Sequence, residues 1–493
     1  MLDEAHAIKD RRSSTAQATF ALNAVFRWCL SGTPLQNRVG ELYSLVQFCR
    51  LDPYCYYFCK AKDKSCEGGV CNCKCREYSF DAEYRYCNHC GHTPLQHYSL
   101  FNQAIVNPIR KFGYIGAGAE GFVTLKRDVL SKLLLRRTKA SRADEMVLPP
   151  KLVTLEANFL DDKENDFYQA IYTQSQAQFS GYVEAGTLLN NYAHIFDLLT
   201  RLRQAVDHPY LVIYNPKREL DEATSATVLG DGDDTNASRV PVVCGLCFDT
   251  AQDPITSACE HSFCRECVQE FLLREHDEAP GCPTCSKPLS IDLQGSFVPR
   301  NAHARKSILS KLSSLEDFQT STKMEALMEE LSRMVKADPS AKAIVFSQFV
   351  SFLDLLEHRI QRGGIKVVKL NGSVSLGARD AVLTAFKEDP DVRVIVISLK
   401  AGGVALNLTV ASHIYLMDPW WNPAAEYQAI DRAHRLGQHK PIRAVRFVVR
   451  NTVEERIIRL QDKKRLVFES TIGGDAGSLA QLTEEDLRFL FQN

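Results

Sequence analysis

Residues 343–398 read AIVFSQFVSFLDLLEHRIQRGGIKVVKLNGSVSLGARDAVLTAFKEDPDVRVIVIS. Three short runs within it, AIVFSQF, KVVKL and VRVIVIS, are rich in β-branched residues and almost unbroken in apolar character. Strands covered on both faces have that look. Between them, LDLLEHRIQRG and GARDAVLTAFKED repeat apolar positions at helical spacing. Strand alternating with helix predicts a parallel sheet with helices on both faces, an α/β domain extending over 321–480. Downstream, Thr483 can cap LTEEDLRFLF, with acids in the first turn, so 481–493 is predicted as a short terminal helix.

Upstream the pattern changes. Residues 219–239 carry six acids against one base, and an acidic flexible linker is expected at 216–241. A second linker is expected at 291–320, after a cysteine-rich stretch at 242–290. Residues 1–52 read as α/β, with FRWCLSGTPLQN as a strand running into a turn. Residues 53–100 are rich in Cys, His and Tyr, and 101–215 are mostly helical in pattern.

A chain of 493 residues has room for about two to four domains. Hydrophobic residues at 45% and charged residues at 24% exclude a disordered or collagen-like chain. The net charge of −1 gives no overall basic signature, so DNA contact must come from local patches. Two exist, each with a net charge of +5: residues 126–151 and 426–469. No apolar run reaches ~18 residues, and MLDEAHAIKDRRSS is no signal peptide, so no membrane partner is expected.

The 17 cysteines fall into two groups, ten between Cys29 and Cys90 and seven between Cys244 and Cys285. Clustered CxxC pairs without a secretory signal point to metal sites. In the second group Cys244, Cys247, Cys259, His261, Cys264, Cys267, Cys282 and Cys285 offer eight soft ligands. These make two closed tetrahedral sites, with zinc supplying folding energy to a segment too short for its own core. In the first group, candidates outnumber places. Cys66, Cys75, His89, His92 and His97 lie among Cys71, Cys73, Cys87 and Cys90, the four expected to close one further zinc site.

Other motifs concern a motor. Asp3-Glu4-Ala5-His6 pairs two acids at a strand end, which suits Mg²⁺ binding and water activation. Ser31-Gly32-Thr33-Pro34-Leu35-Gln36-Asn37 follows. Far downstream stand ISLKAGGVALNLT (397–409), DPWWNP (418–423) and QAIDRAHRLGQ (428–438). The last spaces Arg432 and Arg435 three apart, as two guanidinium forks on one helical face. With LLLRRTK, LPPK and LRQAVDHPYL, this set resembles the Swi/Snf class of superfamily-two DNA translocases. The RING-like spacing at 242–290 narrows the resemblance to the RING-bearing branch, the Rad-sixteen type of nucleotide-excision-repair ATPase.

That resemblance implies RecA-like helicase lobes. The first, incomplete, would fill 1–215 with a zinc insert at about 55–100 and a helical protrusion; the second, complete, would fill 321–480. It assigns Asp3 to Mg²⁺ and Glu4 to the attacking water. His6, Ser31, Gly32 and Thr33 would couple the phosphate site to DNA. Ser398, Lys400, Gly402, Gly403 and Asn407 would form a DNA-facing coupling loop, with Gln428, Arg432 and Arg435 acting on ATP and Trp420 and Trp421 near the cleft.

In the zinc domain it pairs Cys244, Cys247, Cys264 and Cys267 on one ion and Cys259, His261, Cys282 and Cys285 on the other. Leu246, Phe271, Leu272 and Pro283 would form the groove for a ubiquitin-conjugating enzyme. Ser286 stands where many active members carry Arg. The implied setting is the nucleus, with double-stranded DNA or chromatin, a conjugating enzyme and a damage-recognition protein as partners. The family's phosphate-cradling GxGKT loop is absent from these residues. The sequence is therefore expected to be a fragment of a longer motor, inactive as an ATPase on its own. A RING ligase or scaffold with a silent motor, and remodelling without repair, are the alternative functions.

Overall fold

The structure is a computed structural model. It describes the chain except residues 12, 32–38, 63–70, 72, 76–79, 82–84, 114, 138, 140, 141, 143, 146, 188–191, 215–242, 248–250, 252, 253, 275–280, 286, 292–307, 313–317, 373, 375, 400–405, 422, 473–483, 492 and 493. The expected acidic linker and the capping Thr483 lie outside the described residues. Two compact units divide the chain: Met1–Arg142 with Val467–Ala480, and Ala143–Leu466 with Gln481–Asn493. The first domain was expected to end at 215. The first compact unit ends at Arg142, and the chain from Lys151 onward pairs within the second unit.

In the first unit, Leu2 pairs in parallel with Cys29. The Leu2 N–H donates to Trp28 O and the Leu30 N–H to Leu2 O, both at 2.8 Å. Helix Ser14–Ala21 starts at Ser13, whose hydroxyl accepts from the Ala16 N–H at 3.2 Å. Helix Leu42–Cys49 buries Leu42, Tyr43, Leu45, Val46 and Phe48 against Ala5, Ile8, Phe101 and Ile105. Three short antiparallel strands, β1 (Tyr57–Cys59), β2 (Lys74–Cys75) and β3 (His97–Ser99), form a small sheet in the order β2-β1-β3.

The second unit is built on six parallel strands: β4 (Lys151–Asn158), β7 (Ala343–Ser347), β8 (Lys366–Leu370), β9 (Val392–Ser398), β10 (His413–Leu416) and β11 (Ile442–Val449). Their order is β4-β11-β10-β7-β9-β8. Side chains alternate across the sheet. Val345, Val394, Val396, Tyr415 and Val445 join one core with helices Thr322–Ala337 and Val350–Arg362. Ile344, Phe346, Ile395, Ile397, Ile414 and Leu416 join another, with Phe386 and Ile430 from helices Leu376–Glu388 and Pro423–Asp431. Both faces are dry, which is why these strands read as unbroken apolar runs.

A third core gathers helices Asp162–Glu184 and Tyr192–Asp207, the start of helix Val453–Ile472 and the terminal helix Glu484–Phe491. Phe179 stacks on Phe491 with ring centroids 4.4 Å apart. A capping box at Asp161 and Glu164 starts the first of these helices. The same Glu164 accepts the Thr322 N–H at 3.1 Å, fixing where helix Thr322–Ala337 begins. Within the linker expected at 291–320, Ile308 and Phe318 are buried in the sheet core. A third sheet pairs β5 (Pro254–Thr256) with β6 (Ser262–Cys264), followed by helix Arg265–Arg274.

Candidate functional sites: motor motifs and two cysteine clusters

In the first unit, the Leu2–Cys29 pairing sets Asp3 and Ser31 at neighbouring strand ends. Asp3 is exposed and its Oδ1 accepts the Glu4 N–H at 2.9 Å. Glu4 is half-buried and takes a left-handed φ of 46°, a rare backbone state for a non-glycine residue. The Ala5 N–H then donates to Leu30 O at 2.8 Å. Two carboxylates at the carboxyl end of a parallel pair, one open to solvent, fit a hydrated Mg²⁺, which keeps most of its waters and takes one or two carboxylates. Ser31 is half-buried; Gly32, Thr33 and the His6 side chain lie outside the described residues.

In the second unit, strand order reverses between β7 and β10, the kind of point at which open α/β sheets bind ligands. Ser398 is buried at the end of β9, opposite Ser347. Lys400, Gly402 and Gly403 lie outside the described residues. Asn407 is exposed, and its Oδ1 accepts the Thr409 N–H at 3.3 Å. Leu408 donates its N–H to Arg432 O at 3.2 Å, joining the end of ISLKAGGVALNLT to QAIDRAHRLGQ. Gln428 is half-buried in helix Pro423–Asp431.

Arg432 and Arg435 do not share a helical face. The helix ends at Asp431, and both arginines fall in the following turns, before Gly437 at φ 96°. Arg432 is buried. Arg435 is half-buried and donates Nε–H to Asp431 O at 3.2 Å. The helical spacing continued in sequence, but hydrogen bonds back to Ala433 and Ile430 close tighter turns there.

Beneath these motifs lies a buried charge network that the sequence reading gave no roles. Lys323 Nζ donates to Asp207 at 2.7 Å, to Met417 O at 2.8 Å and to Glu454 at 2.5 Å. Arg203 donates to Gln348 Oε1 at 2.9 Å and to Pro419 O at 2.6 Å, and lies 3.6 Å from Asp418. Its guanidinium also sits 5.6 Å from the Trp420 ring centre and 5.1 Å from that of Trp421. Asp418 accepts the Gln348 N–H, bracing the carboxyl ends of β7 and β10. Burial raises Asp207, Asp418 and Glu454 above the usual carboxylate range. Burial alone would lower Lys323, but Asp207 and Glu454 outweigh it and hold it above its ordinary value. The readable signal was the polar content of LRQAVDHPYL and DPWWNP: charges inside otherwise apolar helix and strand ends must be paired. Trp421 serves the third core; Trp420 is half-buried.

The second cysteine cluster gathers Cys244, Cys247, Cys264 and Cys267 in one group, and Cys259, His261, Cys282 and Cys285 in another. Zinc bound to thiolates at about 2.3 Å places neighbouring sulfurs about 3.8 Å apart in a tetrahedron. Cys247 and Cys264 lie 3.8 Å apart, and Cys259 lies 3.4 Å from His261 Nδ1, so the residues fit the ion. Backbone N–H groups of Leu246 and Cys264 point at Cys244 Sγ, at 3.4 and 3.2 Å. Hydrogen bonds from Ser257 and His261 bring Cys259 down to about 6, which favours the thiolate that zinc needs. Gly245 is required: a Cβ there would meet Thr284 Oγ1 at 2.6 Å and Phe263 Cε1 at 2.8 Å. Leu246, Leu272 and Pro283 are half-buried, whereas Phe271 is buried.

The first cluster departs from the expected set. Cys71, Cys73, Cys87 and Cys90 do not converge on one point. Cys71 and Cys90 join Cys59 and His92, while Cys73 and Cys87 join Cys75 and His97. The β1–β3 pairing sets Cys59 of one group directly opposite His97 of the other. Cys59 stands 12 residues before Cys71 and outside the dense stretch, so spacing alone did not single it out.

Comparison with known proteins agrees with this layout. The SNF2-related domain family matches residues 1–63 and 87–211, the helicase conserved C-terminal domain matches 322–437, and the C3HC4 (RING) zinc finger matches 244–285. The chain is 42% identical to the ATP-dependent helicase rhp16 of Schizosaccharomyces pombe, over all of this chain and 55% of that one. It is 34% identical to the helicase-like transcription factor CHR27 of Arabidopsis thaliana, over all of this chain and 48% of that one. With DNA repair protein RAD5B of Arabidopsis thaliana the identity is 33%, over all of this chain and 36% of the relative. The chain spans about half the length, or less, of these relatives. Among the described residues, no helix is long and apolar enough to cross a membrane.

Proposed function

The chain belongs to the Swi/Snf class of SNF2-related ATPases, in its RING-bearing Rad-sixteen type, and from that premise we propose that it serves an ATP-driven translocase on double-stranded DNA that also promotes ubiquitin transfer, in nuclear nucleotide-excision repair. The observation that carries the motor reading is the placement of its motifs. Leu2, beside DEAH, bridges in parallel to Cys29 just before Ser31, and Leu408 ties the end of ISLKAGGVALNLT to the turn that begins at Arg432.

In this reading, Asp3 would help hold Mg²⁺, which would supply charge neutralisation to the phosphates when bound, and Glu4 would orient the attacking water. Arg432 and Arg435 donate planar forks to the γ-phosphate oxygens, where charge spreads in the transition state. The two local +5 segments supply the phosphate contacts for DNA. A damage-recognition protein is the further expected partner.

The RING would hold two zinc ions and present Leu246, Leu272 and Pro283 to a conjugating enzyme, with Phe271 supporting that surface from beneath. Ubiquitin discharge from a charged conjugating enzyme tests this. Leu246→Ala should leave the zinc content unchanged and slow discharge about tenfold, equivalent to ~1.4 kcal/mol. An unchanged rate rejects the groove. The missing Gly-x4-Gly-Lys-Thr frame favours, for residues 1–493 by themselves, the reading of a RING ligase or scaffold with a silent motor. Sensitivity of a deletion strain to DNA damage separates repair from remodelling.

A further inference from the structure

We propose that residues 59–97 form a binuclear zinc module, one ion held by Cys59, Cys71, Cys90 and His92 and the other by Cys73, Cys75, Cys87 and His97. In each set the four ligand atoms lie within 4.8 Å of one another. The spacings suit tetrahedral zinc: Cys59 Sγ is 3.6 Å from His92 Nδ1, and Cys75 and Cys87 sulfurs are 3.9 Å apart. Cys73 and Cys75 sit tighter, at 2.9 Å.

Three independent features support two ions rather than one. The histidine of the second set is oriented as zinc ligands are. His97 is buried, and its Nδ1–H donates to Thr93 O at 3.0 Å, which leaves Nε2 as the free acceptor on the cysteine side. That Nε2 lies 3.2 Å from Cys90 of the first set, so the two sets abut. Next, Cys87 to His92 forms a tight knuckle. The Gly91 N–H donates to Cys87 O at 2.9 Å, the Cys87 N–H donates to His92 O at 2.8 Å, and Gly91 takes a φ of 71°. Its first cysteine serves one set, and its fourth and sixth residues serve the other. Finally, the two sets sit in different apolar surroundings. Cys59 and Cys71 are buried with Ala61 in a small cluster, whereas Cys75 and Cys87 are buried in the larger core with Tyr57, Tyr43 and Phe101.

The interleaving has a consequence. Cys71 and Cys73, two apart, serve different ions, and so do Cys87 and Cys90, three apart, so emptying one site loosens the backbone of the other. Native mass spectrometry of the full chain should count four zinc ions, two of them in the RING. Cys59→Ala and His97→Ala should each lower the count, to three or, where the neighbour empties too, to two. His97→Cys should keep four. In the cobalt-loaded protein it should also shift the d–d bands of one centre from a three-sulfur, one-nitrogen set towards four sulfurs. Fewer than four ions in the wild type, or a count that neither alanine substitution lowers, overturns the proposal.

Discussion

Lys323 carries more structural consequence than any motif residue around it. Its ammonium is fully buried between Asp207 and Glu454, two residues 247 positions apart in sequence. It thereby ties the end of helix Tyr192–Asp207 to the start of helix Val453–Ile472. Removing one member of such a network leaves its partners charged and unpaired in a dry site. Lys323→Ala should therefore cost about 3–5 kcal/mol in a urea melt of the second unit. A loss below ~1 kcal/mol would show the network to be solvated in solution.

His208 makes a pH-dependent prediction at the same scale. Its Nδ1 accepts the Tyr210 N–H and its Nε2–H donates to Gln319 O, both at 3.0 Å, so the neutral ring is the one that fits. Burial pushes it down to about 4. A depressed histidine contributes stability that is present above its unfolded value of ~6.5 and lost as pH falls towards 4. The second unit should lose about 1.4 kcal/mol per pH unit from this group across that window. His208→Asn keeps a cap acceptor and should flatten the slope. An unchanged slope in chemical denaturation at pH 4.5, 5.5 and 6.5 would move the titration elsewhere.

Among the elements, legibility followed burial. KVVKL and VRVIVIS were readable as strands because both faces of the sheet are covered. β4 was not: it lies at the sheet edge, with Leu152 and Leu155 exposed, and its partner β11 is some 290 residues away. Nothing local in KLVTLEAN reveals that pairing. The zinc clusters differ in the same way. RING spacing is rigid enough to name eight ligands, whereas the first cluster has more closely spaced Cys and His residues than one site can take, and one ligand, Cys59, comes from β1 outside the dense stretch. Arg432 and Arg435 were legible as a pair but not in their geometry, since a helical repeat in sequence does not show where hydrogen bonding stops. The terminal helix was legible from its pattern, and its role is testable. Phe491 stacks on Phe179, and its carbonyl accepts from Tyr172 Oη at 3.1 Å. Phe491→Ala should cost about 3–5 kcal/mol and speed proteolysis after Leu466. Unchanged cleavage would make the helix an adornment.

At the scale of the whole molecule, SNF2-related, RING and helicase C-terminal regions stand in one chain of the Swi/Snf class. Residues 1–493 contain no Gly-x4-Gly-Lys-Thr frame, the kind of loop that cradles the β- and γ-phosphates. Each missing charge-assisted contact is worth on the order of 1.5–3 kcal/mol, so double-stranded DNA should not stimulate ATP turnover by residues 1–493 alone. The decisive measurement is ATP turnover against double-stranded DNA concentration, in a protein that carries these residues together with a Gly-x4-Gly-Lys-Thr loop. Wild type should rise to a plateau. Arg435→Ala should bind DNA normally and show a plateau lower by roughly 10³-fold or more, and Arg432→Lys should fail as well. If saturating DNA restores the Arg435→Ala plateau, the arginine contacts DNA phosphate rather than the nucleotide, and the motor assignment of this site is wrong.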